Sequence, residues 1–150
     1  MELILWRHAD AADGEPDLQR ELTVKGHRQA QSVANWLNHR LPEDAVILSS
    51  PARRTQQTAD ALGRRYETLP ALAPGADAMS VLLAAGWPET SGTVVVVGHQ
   101  PTLGRVLMLL LAGHESEFSL KKGGLAWLSN RVRQEVSQNI LRAVISPELL

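Results

Sequence analysis

The chain has 150 residues, enough for one domain with a buried core, and its 44% hydrophobic and 21% charged residues are typical of a folded globular protein. Its 15 Lys and Arg against 16 Asp and Glu give a formal net charge of -1, which argues against a broad basic surface for nucleic acid or for a membrane. The absence of cysteine excludes disulfides, thiol nucleophiles and cysteine-ligated metal or iron–sulfur sites.

Three short apolar runs predict buried strands, at Leu3–Trp6, Ala45–Leu48 and Thr93–Val97. Continuous runs of this kind are typical of strands that are covered on both faces. The first run is too short for a signal peptide and lacks a basic lead, and no apolar stretch reaches the length of a membrane span. We therefore expect a soluble, cytoplasmic protein.

Stretches with helical spacing lie between and after these runs. The first covers residues 24–40, with Thr23 as its N-cap, because a threonine hydroxyl can accept from the free amides of a first turn. The others are predicted at 52–65 after Ser50-Pro51, at 77–85 after Pro74-Gly75, and from Pro101 to about Gly113. This alternation predicts an α/β fold with three layers (α/β/α), in which a mainly parallel central sheet carries helices on both faces.

The last third of the chain changes character. Leu125–Leu128 and Ile140–Ile145 predict two further strands, and the polar stretch Asn130–Asn139 between them predicts a hairpin connection. The sequence contains no internal repeat, low-complexity tract or linker. Residues 1–150 are therefore expected to form a single domain.

Polar side chains follow each of the first three strands at its carboxyl end. Arg7-His8 follows the first strand, Ser49-Ser50 the second, with Arg53-Arg54 in the helix behind it, and Gly98-His99 the third. Ligands of open α/β sheets bind outside the carboxyl ends of the strands, so we expect these residues to meet at one edge. Each feature is common alone as a packed or solvated residue, but their coincidence at successive strand ends favours a functional site.

The residue types of this set suit phosphate chemistry. Arginine stays charged and offers a planar fork of donors that matches phosphate oxygens. Helix N-termini add unpaired amides and a partial positive charge. Cations around an imidazole hold its pKa down, which leaves a nitrogen lone pair free to attack phosphorus. Since the arginines supply the charge stabilisation, no metal ion is needed.

Four motifs carry a resemblance to a known family. They are Arg7-His8, Leu22-Thr23-x-x-Gly26 with Gln29-Ala30, Ser49-Ser50-Pro51-x-x-Arg54 with Gln57-Thr58-Ala59, and Val96-Val97-Gly98-His99. In this order and spacing, over nearly the whole chain, they resemble the phosphoglycerate mutase-like histidine phosphatase superfamily. The short length, Arg-His-Ala-Asp-Ala at residues 7–11 and Leu72-x-Pro74-Gly75-Ala76-Asp77 are most similar to its SixA-type phosphohistidine phosphatases.

The resemblance implies a role for each of four residues. His8 would be the nucleophile and transient phosphohistidine, Arg7 and Arg54 would clamp the phosphoryl oxygens, and His99 would donate to the phosphoryl group. Residues 1–150 would be one histidine phosphatase domain without a cap, and no cofactor or metal would be required. The spacing from Ser50-Pro51 selects Arg54, which leaves Arg53 as a surface residue or as a rim contact for an acidic substrate.

Two departures from the family pattern bear on function. Ala9 stands where many members have glycine, and it fits unless the backbone there needs a positive φ. No carboxylate is an obvious general acid: Asp77 lies in about the right region, and Asp10, Asp13 and Glu15 lie in a loop that could approach, but we assign none of them.

The missing acid favours one class of substrate. An alkoxide leaves poorly without a proton, whereas the imidazole released from a phosphohistidine can be protonated near neutral pH. We therefore expect a phosphohistidine phosphatase that acts on a phosphorylated protein, such as a His-containing phosphotransfer domain, with neither nucleic acid nor membrane as partner. The alternatives are a phosphatase for small phosphate esters and a phosphohistidine-binding module without turnover.

Overall fold

The computed structural model describes all 150 residues, and the apolar runs form the strands of one six-stranded sheet. The strands are β1 (Glu2–Arg7), β2 (Val46–Ser49), β3 (Glu67–Thr68), β4 (Thr93–Gly98), β5 (Leu125–Arg133) and β6 (Val136–Ile145), and their order across the sheet is β3-β2-β4-β1-β5-β6. The four strands β1 to β4 are parallel to one another. β5 pairs antiparallel with β1, and β6 pairs antiparallel with β5.

Helices cover both faces of this sheet. They are α1 (Val24–Asn38), α2 (Arg53–Asp60), α3 (Ala78–Ala85) and α4 (Thr102–Ala112), with 3-10 turns at Asp17–Gln19, Pro70–Leu72 and Pro147–Leu149. Alternate residues of β1 face opposite ways, so Ile4 and Trp6 pack with α1 and α2, while Leu3 and Leu5 pack with α3 and α4. None of the helices is both long enough and apolar enough to cross a membrane.

The predicted α/β fold is confirmed, but the sheet is mixed rather than mainly parallel. The reason is the last third of the chain, which returns beside β1 in the opposite direction and then turns back immediately. Only Gln134 and Glu135 separate β5 from β6, and both have positive φ (50° and 64°), as tight two-residue hairpin turns require. The predicted hairpin is therefore present, but its connection is shorter than Asn130–Asn139, because most of that stretch lies within the two strands.

Local interactions and glycines mark where α1 begins and where the chain leaves α2. Thr23 caps α1 as predicted, since its Oγ1 accepts from the Gly26 amide at 3.0 Å. A Cβ on Gly26 would lie 2.0 Å from the Asp10 carbonyl oxygen, so only glycine lets the start of α1 approach the loop after β1 this closely. α2 ends at Asp60, short of the predicted residue 65, and the chain reverses at Gly63, where φ is +66°.

Candidate active site

The carboxyl ends of β1, β2 and β4 bring the predicted residues to one edge of the sheet. In the strand register Arg7 lies beside Gly98, and Ser49 beside Val97. The backbone continues this pairing one step beyond the strands, because the His8 amide donates to the Gly98 carbonyl at 3.0 Å and the Ser50 amide to the Val97 carbonyl at 3.0 Å. The His8 and His99 rings consequently lie with their centroids 5.3 Å apart.

A hydrogen bond to the backbone fixes the tautomer of His8. Its Nδ1 lies 2.7 Å from the Ala9 carbonyl oxygen, which can only accept, so Nδ1 carries the proton of the neutral ring. The lone pair is therefore on Nε2, the nitrogen available for attack. Ala9 is fully buried and has no positive φ, so alanine fits here, and its amide donates to Thr58 Oγ1 at 3.1 Å.

His99 has the opposite tautomer. Its Nδ1 lies 3.4 Å from Nη2 of Arg54, whose guanidinium nitrogens only donate, so Nδ1 is the acceptor. Nε2 then carries the proton and donates to Ser50 Oγ at 2.7 Å. The site thus pairs one histidine with a free Nε2 lone pair and one histidine with an Nε2 donor.

Arg54 is buried in the first turn of α2 and is oriented by the 3-10 turn at Asp17–Gln19. Its Nη1 donates to the Asp17 carbonyl at 2.9 Å, and its Nη2 to Asp17 Oδ2 at 3.2 Å. Arg7 is held similarly, since its Nη1 donates to the Leu120 carbonyl at 2.8 Å. The Nε atoms of both arginines are buried without a hydrogen-bond partner. Leaving such a donor unsatisfied costs free energy, so both guanidinium groups keep unused hydrogen-bonding capacity.

Burial and nearby cations keep both histidines neutral. Burial, with smaller contributions from the charges of Arg54, Arg7 and Arg20, lowers the pKa of His8 to about 4 against the opposing effect of its hydrogen bond to Ala9. Burial likewise lowers the pKa of His99 to about 3, with contributions from His8 and Arg54. The two side chains are only 9% and 5% exposed, so solvent does little to offset these effects.

These pKa values predict how stability depends on pH. Each histidine titrates near its usual 6.5 in the unfolded chain but near 4 and 3 in the folded protein, so the unfolded state binds more protons between those values. The contribution of the two groups to stability is therefore complete only well above pH 6.5 and falls as the pH is lowered, with a slope near pH 5 of about 2 to 3 kcal/mol per pH unit. The free energy of unfolding of His8→Gln/His99→Gln, measured by urea unfolding at a series of pH values, should not show this part of the pH dependence. An unchanged slope would contradict the buried, neutral pair.

The carboxylates that sequence offered as acids are all in other roles. Asp77 caps α3, accepting from the Ser80 amide at 2.7 Å, and this hydrogen bond lowers the pKa of its fully exposed carboxyl. The pKa of Asp10 is lowered by the hydroxyl of Thr23 at 2.7 Å and then by the ammonium of Lys122 at 3.0 Å. Both carboxyls are therefore ionised at neutral pH.

The remaining two candidates make no contact with the histidines. Asp13 and Glu15 are exposed, and they line a surface groove together with Asp17 and Arg20. Neither makes a hydrogen bond to His8 or to His99. No group of three or more His, Cys, Asp or Glu side chains is placed to hold a metal ion.

Two contacts of the site were not identified from the sequence. Asp17 holds Arg54, and its own pKa is lowered by its hydrogen bonds to Arg20 and then to Arg54. Thr58 links the loop after β1 to α2, because its hydroxyl accepts from the Ala9 amide and donates to the Arg54 carbonyl at 2.8 Å. Arg53, by contrast, points away as expected: its side chain is 53% exposed and lies 3.5 Å from Glu21.

Comparisons with known proteins agree with this geometry. Residues 3–81 match the sequence profile of the histidine phosphatase superfamily (branch 1). Phosphohistidine phosphatase SixA of Escherichia coli (strain K12) is 34% identical over 122 residues, which cover 75% of this chain and 76% of that protein. An uncharacterised protein of Picosynechococcus sp. is 34% identical over 100% of this chain and 99% of its own. The structure of the protein histidine phosphatase SixA complexed with tungstate is 27% identical, covers 99% of both chains and superposes with a TM-score of 0.78.

Proposed function

The chain belongs to the histidine phosphatase superfamily, and from this premise we propose that it is a phosphohistidine phosphatase, which removes the phosphoryl group of a phosphorylated histidine on another protein. His8 would be the nucleophile and Arg7 and Arg54 the phosphate ligands. His99 would be the donor beside them, and its Nε2 proton would turn from Ser50 to the phosphoryl group. The similarity to the phosphohistidine phosphatase SixA of Escherichia coli supports the same substrate class.

One observation carries the choice of substrate: Asp10, Asp17 and Asp77 are engaged in other hydrogen bonds that lower the pKa of each carboxyl and keep it ionised. An ionised carboxylate has no proton to give to a leaving alkoxide, and an ester would lose the factor of about 10²–10⁴ that a positioned acid contributes. A phosphohistidine does not need that acid, because its imidazole leaving group takes a proton from water near neutral pH.

The reaction follows from the two tautomers. The lone pair on Nε2 of His8 attacks phosphorus, the P–N bond to the substrate histidine breaks, and the departing imidazole nitrogen is protonated. The phosphoryl group then resides on Nε2 of His8, with Arg7 and Arg54 neutralising its oxygens. Water attacks the phosphorus in the second step, which releases inorganic phosphate and restores the neutral His8.

Access to the site fits a protein substrate. Two surface grooves adjoin the residues of the site: Arg7 lines one of them, and Asp17, which holds Arg54, lines the other. We propose that residues 1–150 act as a single domain, with no cap over this edge, so that a histidine on the surface of another protein can enter. Independence from metal and cofactor and a cytoplasmic location are parts of the same proposal.

The test is phosphate release from a phosphorylated His-containing phosphotransfer domain and, in parallel, from a sugar phosphate, an ester whose leaving group is an alkoxide, both without added metal. We expect the phosphoprotein to be hydrolysed about 10²-fold faster than the ester or more, because ester hydrolysis lacks the rate enhancement that a general acid provides. Asp77→Asn should leave both rates unchanged, because the Asp77 carboxylate is an exposed helix cap.

The other outcomes identify the alternatives. Rapid ester hydrolysis with no release from the phosphoprotein would overturn the proposal in favour of a phosphatase for small esters. Loss of ester hydrolysis alone in Asp77→Asn would make Asp77 an acid for esters. If phosphate is released from neither substrate, the proposed activity is overturned and the protein is a phosphohistidine-binding module without turnover.

A further inference from the structure

A groove lined by cations lies beside the candidate active site and shares Arg7 with it. Its volume is about 520 Å³, and its charged lining residues are Arg7, Lys25, Lys121, Lys122 and Glu148, a set that we call the basic groove. Neither the proposed chemistry nor the motifs of the sequence use the three lysines. The basic groove is therefore a second surface next to the nucleophile, without a role in the reaction itself.

Backbone hydrogen bonds attach the loop that contains Lys121 and Lys122 to the strand end that carries the nucleophile. The Gly123 amide donates to the His8 carbonyl at 2.9 Å, and the Arg7 amide donates to the Gly124 carbonyl at 2.9 Å. Gly123 has a φ of +74°, and a Cβ there would lie 3.1 Å from Pro147 Cγ, so the loop depends on a glycine. Lys121 and Lys122, which precede this glycine, are consequently held at a set distance from the phosphate site.

The charges of the basic groove are poorly compensated from within the protein. Glu148 is the only acid in the lining, and its carboxylate lies 3.9 Å from Lys121 Nζ, with both side chains largely exposed. Lys122 pairs with Asp10 at 3.0 Å, and Lys25 has no ion-pair partner. Four cations thus gather in a chain whose net charge is only -1, and they lie on one side of the site.

A second groove, connected to the site through the contact of Asp17 with Arg54, carries the opposite charge. The groove of Asp13, Glu15, Asp17 and Arg20 has three carboxylates and one cation. A partner with acidic side chains next to its phosphohistidine is attracted to the basic groove and repelled from this acidic one. Complementary charges of this kind select and orient a partner more than they tighten its binding.

We infer that the basic groove binds acidic side chains that flank the phosphohistidine on the substrate protein, so that Lys25, Lys121 and Lys122 determine substrate specificity. This inference rests on the proposed function. The lysines act on substrate binding and not on the chemical step, since they are exposed and contact neither histidine.

The test uses two peptides whose histidine has been phosphorylated with phosphoramidate. One peptide has glutamate at the positions that flank the phosphohistidine, and the other has glutamine at the same positions. For the wild type we expect kcat/KM to be about tenfold higher for the glutamate peptide, as for a few exposed ion pairs, with the whole difference in KM. Salt at about 1 M, where the Debye length falls to about 3 Å, should remove that preference. The variant Lys25→Gln/Lys121→Gln/Lys122→Gln should lose the preference for the glutamate peptide at low salt as well. Its kcat for the glutamine peptide should equal that of the wild type.

The matched control removes three exposed cations elsewhere. Arg65→Gln/Arg131→Gln/Arg133→Gln changes the net charge equally, and none of its three residues makes an ion pair, so it should keep the preference. Equal kcat/KM values for the two peptides with the wild type, or a preference that survives in the lysine variant, would overturn the inference alone. Hydrolysis of neither peptide would overturn the proposed function and this inference with it.

Discussion

His8→Ala is expected to lower kcat for phosphoprotein hydrolysis by about 10⁴-fold or more, because the variant lacks the nitrogen that attacks phosphorus. The reason is specific to this site. Ala9 fixes the His8 proton on Nδ1, burial keeps the ring neutral, and the other nearby imidazole, His99, carries its proton on Nε2 toward Ser50. Neither His99 nor the serine can therefore replace the His8 lone pair without rearranging these hydrogen bonds.

The measurement is phosphate release from the phosphorylated phosphotransfer domain, with circular dichroism of each variant to verify its fold. His27→Ala is the matched control, since His27 is an exposed histidine of α1 with no side-chain hydrogen bond, and it should retain wild-type kcat. A His8→Ala enzyme that retains more than about a tenth of the wild-type rate would remove His8 from the reaction.

Arg54→Gln is expected to lower kcat by about 10²–10³-fold, the usual effect of removing one donor that stabilises charge in a transition state. Arg54 is buried, is oriented by two hydrogen bonds to Asp17, and holds an unpartnered Nε. A phosphoryl group in transfer spreads charge over its oxygens, and these are the acceptors that this guanidinium lacks. Arg54→Lys should recover only part of the rate, because an ammonium keeps the charge and loses the planar fork.

The neighbouring arginine supplies the control for this prediction. Arg53→Gln removes the same charge from the same turn of α2, but Arg53 is exposed and pairs with Glu21. Its kcat should stay within about threefold of wild type, as expected for an exposed ion pair. Similar losses in the two variants would show that the general charge of α2, and not the placed guanidinium of Arg54, supports the reaction.

The sequence predicts well which residues meet at this edge of the sheet, because they occupy strand ends that apolar runs identify. Arg7-His8, Ser50 and Gly98-His99 each follow a continuous buried strand, so their meeting at one sheet edge depends only on parallel pairing. Thr23 was predictable for a similar reason, since an N-cap acts within its own turn. Interactions within a few residues, or along one strand, leave a readable pattern.

Long-range or unpatterned features were harder to predict. β3 has two exposed residues and therefore no apolar run, and the hairpin turn is Gln134-Glu135 rather than one of the glycine-containing pairs that identify such turns. Asp17 reaches Arg54 across 37 positions in the sequence from an exposed 3-10 turn, so no periodicity indicates the contact. The basic groove is likewise assembled from distant segments, Lys25 on α1 and Lys121-Lys122 before β5.

The most direct test of the account is to locate the phosphoryl group during turnover. The protein would be mixed with radiolabelled phosphorylated phosphotransfer domain, quenched in alkali to preserve phosphohistidine, and digested for mass spectrometry, with ³¹P NMR to distinguish the two ring nitrogens. We predict a label on Nε2 of His8 that appears and decays within turnover and is absent from His8→Ala. A label on Ser50, on His99 or on Nδ1 of His8, or phosphate release with no labelled enzyme at any time, would contradict the account.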